Sequence, residues 1–183
     1  MKIAPSEPRL GRRSARNEPI ILFSIARQEF AINANAIQEI RTTDSISAAA
    51  SEVSLPGIAK VRHRLRRGRK NFYVINGCVH FGLPTSRPTQ VVVLRSHRIA
   101  LLVDSIDRME TMSFLMALPP GFCGPERSWY RGITLVAESV VPVVNPSGFL
   151  TEQELAQLEA ASAAETDGSS EESGERAAAD VSP

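Results

Sequence analysis

Short apolar runs with a period of two, separated by turn residues, fill the chain between residues 20 and 145, and no βαβ alternation interrupts them. Ile21, Phe23 and Ile25 alternate with smaller or polar neighbours, Arg27-Gln28 allows a reversal, and Phe30 and Ile32 resume the alternation, which predicts a β-hairpin over 20–26 and 29–33. Further strands are expected at 71–76, 90–94, 99–104, 131–136 and 140–145. Arg95-Ser96-His97-Arg98 and Ala137-Glu138-Ser139 each join two of these runs as hairpin turns. Pro142 calls for an edge or bulge position, because it cannot donate to a ladder. Many short strands with one or two short helices fit an all-β fold of closed or nearly closed barrels, since closure removes exposed strand edges.

After the first hairpin, Asn35 is placed to cap a helical turn with Gln38 at capping-box spacing. Ile37 and Ile40 then share one face, and Glu39 and Arg41 look outward. A second helix is expected at 151–164, where Thr151 and Glu154 form a capping box and Leu155 with Leu158 gives an apolar stripe. Residues 1–19, with three prolines and four arginines, read as a disordered tail, and residues 165–183, with six acids against one arginine, as a solvated acidic one. One folded unit, 20–150, lies between.

The chemistry-bearing residues are sparse. His63, His80 and His97 stand apart from one another, and Asp104-Ser105 lacks a GxSxG elbow, so no catalytic set is assembled in sequence. Asp104 is expected to end a strand and accept backbone hydrogen bonds in the following turn. Phosphate-binding glycine motifs and HExxH are absent, and Cys78 and Cys123 lie 45 positions apart without a CxxC, which points away from a metal and toward buried thiols. No cofactor is expected. Gly121-Phe122-Cys123-Gly124-Pro125 reads as a crossover between barrels. No apolar run approaches the ~20 residues of a membrane span, and residues 1–17 lack an apolar signal core, which leads us to expect a cytosolic protein.

The formal net charge of +1 argues against strong global attraction to polyanions, yet Lys60, Arg62, Arg64, Arg66, Arg67, Arg69 and Lys70 fall within eleven residues that contain no acid. Such a run could bind nucleic acid by counterion release, or anionic lipid headgroups. It lacks aromatic residues for base stacking. Its alternation of Val61, His63 and Leu65 with Arg62, Arg64 and Arg66 suits a strand with one packed and one charged face.

The hairpin followed by Ile37-Gln38-Glu39-Ile40-Arg41 resembles the opening of the CheW family, adaptors that couple chemotaxis receptors to the CheA kinase. The likeness continues in order: Leu65-Arg66 with Gly68, Phe72-Tyr73-Val74-Ile75-Asn76, Phe81-Gly82-Leu83, the run from Val91 through Val103-Asp104-Ser105, Leu118-Pro119-Pro120, and Tyr130-Arg131-Gly132-Ile133 with 140–145. The resemblance implies two small five-stranded SH3-like barrels around a shared core, a non-catalytic scaffold, and two partners: the cytoplasmic tip of a chemoreceptor and the regulatory domain of a CheA-type histidine kinase. Carried over, Ile37, Glu39, Ile40, Arg66, Gly68 and Ala100 are the partner-contact candidates, with Glu39 and Arg66 able to pair. The chain departs from the family pattern at Lys60-Val61-Arg62, at the additional Arg67, at Asn76 in place of an Asp, and at Ala100 in place of a Gly. The alternatives are a CheW-like adaptor of a pilus-motility pathway, or a small β-barrel nucleic-acid binder using residues 60–70.

Overall fold

The protein, as a computed structural model, is described at residues 12–13, 17–68 and 70–171. The chain divides into a β-rich unit ending at Phe149 and a C-terminal unit beginning at Leu150. The strands are β1 (Arg12–Arg13), β2 (Glu18–Ile25), β3 (Gln28–Asn33), β4 (Ile37–Thr42), β5 (Ala50–Glu52), β6 (Val61–Arg67), β7 (Lys70–Asn76), β8 (Gln90–Leu94), β9 (Ile99–Val103), β10 (Ser105–Met112), β11 (Leu115–Met116), β12 (Tyr130–Val136) and β13 (Ser139–Val144). Helices α1 (Thr43–Ser47), α2 (Gly77–Phe81) and α3 (Glu152–Glu171) complete the set, with short 3₁₀ turns between them.

Two sheets form, in the orders β1-β11-β12-β13-β3-β2-β10 and β4-β8-β9-β7-β6-β5. Each contains the five strands of an expected barrel. Sheet one adds the two-residue strands β1 and β11, and sheet two adds the three-residue β5. Sheet one packs Ile20, Leu22, Ala31, Met112, Val136, Val141 and Val143 inside, and sheet two packs Ile46, Leu65, Phe72, Val74, Val91, Val93 and Ala100. Between the sheets lies an aromatic seam. Phe30 stacks on Phe23 and on Phe81 (ring centroids 5.7 and 4.7 Å), and Phe81 meets Trp129, Tyr130 and Phe149.

The strands that alternation predicts all form, and the basic run is indeed a strand, β6. The predicted helix at 35–41 does not form. Asn33, rather than Asn35, caps a 3₁₀ turn by accepting the Asn35 N–H at 2.8 Å, and Ile37 onward is β4. The cause is a bulge: Ile37 faces Leu94 but Glu39 faces Val93, so the extra residue spaces the apolar Ile37 and Ile40 three apart and imitates a helical face. A second bulge between Val61 and His63 leaves His63 exposed instead of packed.

Other expectations need adjustment. Arg12 and Arg13 pair with Met116 and Leu115, and Glu18 and Pro19 pair with Met112 and Thr111, so these parts of 1–19 are strand. Glu18 is anchored by Arg131 at 2.8 Å and by Asn33 at 3.0 Å. Residues 1–11 and 14–16 lie outside the described residues. The capping box of α3 is present, with the Glu154 N–H donating to Thr151 Oγ1 at 3.1 Å and the Thr151 N–H to Glu154 Oε2 at 2.8 Å. The helix continues past 164 to Glu171, through Thr166, Asp167, Gly168, Ser169 and Ser170, residues of low helix propensity that make this stretch read as a tail; residues 172–183 lie outside the described residues. Cys78 is buried but Cys123 is exposed. Its loop joins β11 to β12 within sheet one instead of crossing between barrels, because those two strands are neighbours. Pro142 sits opposite Ile133 on an interior strand, beside a β13–β3 pairing that consists of the single bridge Val143↔Ala31, so its missing donor falls where the ladder is thin.

The chain passes from sheet two to sheet one at Asp104. Its Oδ2 accepts the Ala26 N–H at 2.7 Å and its Oδ1 the Ser86 hydroxyl at 2.5 Å, while its own N–H donates to Ser24 at 2.8 Å. The carboxylate thus holds the β2–β3 turn, 78 positions away in sequence, rather than the turn that follows it. That turn is Ala26-Arg27, one residue earlier than predicted, and both residues are left-handed (φ 50° and 66°).

Candidate partner-binding surface

β7 and β9 run parallel, with Tyr73 level with Ile99 and Asn76 with Leu102. Parallel neighbours begin at the same end of a sheet. The turn before β7 and the turn before β9, residues 95–98, therefore project from one end of sheet two. β4 begins there as well: Ile37 pairs with Leu94, the Arg95 N–H donates to the Ala36 carbonyl at 2.9 Å, and Arg95 Nη2 donates to the Ile37 carbonyl at 3.2 Å. Glu39 closes the end. Its Oε1 pairs with Arg67 Nη1, and its Oε2 accepts from Arg41 Nε at 3.1 Å. Three strands separate β4 from β6 in the strand order, so the Glu39–Arg67 pair spans a curled sheet.

Five of the six contact candidates converge on this end. Ile40 is 38% exposed, Glu39 is half-buried, and Arg66 and Gly68 are exposed. Gly68 takes the left-handed φ of +58° that the tight β6–β7 turn requires, and nothing lies where its side chain would be. Ile37 is buried and anchors the start of β4. Ala100 is different: it has no exposed surface and belongs to the core of sheet two, so it cannot touch a partner directly. The partner of Glu39 is Arg67 instead of Arg66, since successive residues of β6 point to opposite faces.

The basic run does not form one patch. Val61 pairs with Ile75, and the Asn76 N–H donates to the Lys60 carbonyl at 2.8 Å, so Lys60 and Arg62 lie at the far end of β6, about 20 Å from Arg67 along a seven-residue strand. Arg64 lies between, opposite Tyr73 and Ser51. Arg69 is outside the described residues. What replaces the missing charges is Arg95 and Arg98, brought to the end that holds Arg66, Arg67 and Lys70 by strand pairing, with Arg41, further along β4 opposite Val91, tied in through its bond to Glu39. The parallel register of β7 and β9, which local periodicity does not encode, is what makes Arg95 and Arg98, read from the sequence only as a hairpin turn, part of this surface.

Among the described residues no group of three or more His, Cys, Asp or Glu side chains could hold a metal ion, and no helix is long and apolar enough to cross a membrane. A family model, the CheW-like domain, matches residues 19–154, from the start of β2 into the first turn of α3. The chain belongs to the CheW-like domain family. A solved structure of the scaffolding protein TtCheW from Thermoanaerobacter tengcongensis matches with a TM-score of 0.59 at 14% identity, covering 75% of this chain and 91% of that one. At that identity the likeness concerns the fold. No curated protein matches the chain in sequence. In this CheW-like domain, the basic end lies wholly within the matched span and is built from β4 and the two hairpins of sheet two.

Proposed function

We propose that this CheW-like protein is a non-catalytic coupling adaptor that holds a CheA-type histidine kinase, through its regulatory domain, beside the cytoplasmic tip of a chemoreceptor. The observation that carries the reading is the family match over both sheets together with the convergence of Ile37, Glu39, Ile40, Arg66 and Gly68 at one end of sheet two. Two interfaces of modest strength suffice for such a role, because bridging converts the second contact into an intramolecular one and raises the effective concentration of kinase near receptor. The protein then works in the cytoplasm, at the inner face of receptor arrays. The exposed Ile40 supplies apolar contact and the surrounding charges supply orientation and partner choice. The test is titration calorimetry against the regulatory domain of each CheA-type kinase from the same genome. Saturable binding to one identifies the pathway, chemotactic or pilus-based; absence of binding to all of them, by folded protein, overturns the adaptor reading.

A further inference from the structure

Resting on that adaptor reading, we infer that the basic end of sheet two selects a partner segment whose contact face is acidic, an apolar residue flanked by carboxylates. The hairpin turn at 95–98 and Lys70 serve as its selecting elements. The two turns project from the same end because β7 and β9 are parallel, and the Tyr73 N–H to Arg98 carbonyl bond at 2.9 Å fixes the second turn against β7. Arg95 and Lys70 are exposed, as is Arg66, and Arg95 is steadied by its bond to the Ile37 carbonyl.

The composition of the end decides what kind of anion fits. Glu39 sits among the cations and binds both Arg67 and Arg41. That carboxylate interrupts the row of cations that a continuous phosphate backbone would follow, and none of the six cation-bearing positions is interleaved with an exposed aromatic for base stacking. A protein segment meets the geometry better. Its apolar residue covers Ile40, and its carboxylates pair with Lys70, Arg66 and Arg95, one of them taking Arg67 or Arg41 in place of Glu39. Glu39 is then an internal competitor for the partner's acids, and neutralising it strengthens association.

The experiment titrates the full-length protein with the purified cytoplasmic tip of each chemoreceptor from the same genome, with a 20-nucleotide single-stranded oligonucleotide, and with the kinase regulatory domain, at low and high salt. The expected result is salt-sensitive binding of a tip that is weakened about fivefold or more by Lys70→Glu with Arg95→Glu. The same binding is tightened by Glu39→Gln, and kinase binding is unchanged. Arg95→Gln removes the charge without introducing an opposite one and should give the same direction of effect with the fold preserved, as read by circular dichroism. Tip binding that ignores these substitutions, weakening by Glu39→Gln, or an oligonucleotide that binds more tightly than any tip overturns the inference. Loss of kinase binding in the unmodified protein marks failure of the adaptor reading itself.

Discussion

Replacing Asp104 by alanine should destabilise the protein by about 2–4 kcal/mol. The carboxylate accepts two hydrogen bonds, from the Ala26 N–H at 2.7 Å and the Ser86 hydroxyl at 2.5 Å. Hydrogen bonds to a charged acceptor contribute about 1.5–3 kcal/mol each, or about 3–6 kcal/mol for two, and since Asp104 is only half-buried, water can reach the vacated groups and lowers the expected loss to about 2–4 kcal/mol. Asn in the same place keeps one acceptor oxygen. The Ser86 hydroxyl can rotate to accept from the amide, so Asp104→Asn should cost about 1 kcal/mol. The turn braced by this carboxylate holds Ala26 at φ 50°, a conformation that costs a non-glycine residue about 1–2 kcal/mol. Ala26→Gly, offset by roughly 0.5–1 kcal/mol of added chain entropy, should therefore recover part of the loss in the Asp104→Ala background. Urea unfolding followed by far-ultraviolet circular dichroism measures all three, with the midpoint moving and the slope constant. If Asp104→Ala unfolds within 0.5 kcal/mol of the parent, taking ~0.5 kcal/mol as the ordinary scale of surface changes, the brace contributes nothing and the argument is wrong.

Arg66→Glu should lower affinity for the receptor tip by about two- to fivefold through slower association, with an unchanged unfolding midpoint; equal affinity would remove Arg66 from the surface. Glu18 is held below the usual carboxylate range, first by the hydrogen bond from Arg131, so its contribution is present above the ordinary glutamate pKa and is lost as pH falls through the lowered value. With both side chains about one-third exposed, that contribution is at most about 1 kcal/mol, and Arg131→Gln should flatten the acid limb of a stability–pH curve. Gly77→Ala would drive a Cβ to 2.5 Å from Ile25 Cδ1 and 2.9 Å from the Leu102 carbonyl oxygen, with an expected loss of about 1–3 kcal/mol in the same urea assay. A thiol reagent should modify Cys123 at once and Cys78 only on unfolding; two equally fast thiols would contradict the burial of Cys78.

Most of this fold could be read from residues with an undisturbed period of two. β2, β3, β7, β8, β9, β12 and β13 each carry an apolar alternation or a β-branched run, and the structure places them as expected. The failures have local causes. β4 carries a bulge that converts its alternation into a three-residue spacing, and β10 is written SIDRMETM, an edge strand with most of its side chains in water. For the surface, Glu39, Ile40, Arg66 and Gly68 were found through family likeness. Arg95 and Arg98 join them only through strand register, which depends on tertiary pairing, and Arg41 through its bond to Glu39. Ala100 shows the opposite failure: a position singled out by family likeness, where the family commonly has Gly, proves to be interior packing.

Sheet one is assembled from the two ends of its unit: β2 and β3 belong to it, and so do β10 to β13, whereas β4 to β9 form sheet two without interruption. During synthesis the middle segment can therefore fold as soon as β9 leaves the ribosome. The first hairpin must wait, with Ile20, Leu22 and Ala31 uncovered, for strands made up to about a hundred residues later. A chain stalled after β9 would carry a finished second barrel and a sticky, unpaired hairpin at its start. Moving β2 and β3 to follow β13 by circular permutation should remove that waiting period and raise the yield of folded protein.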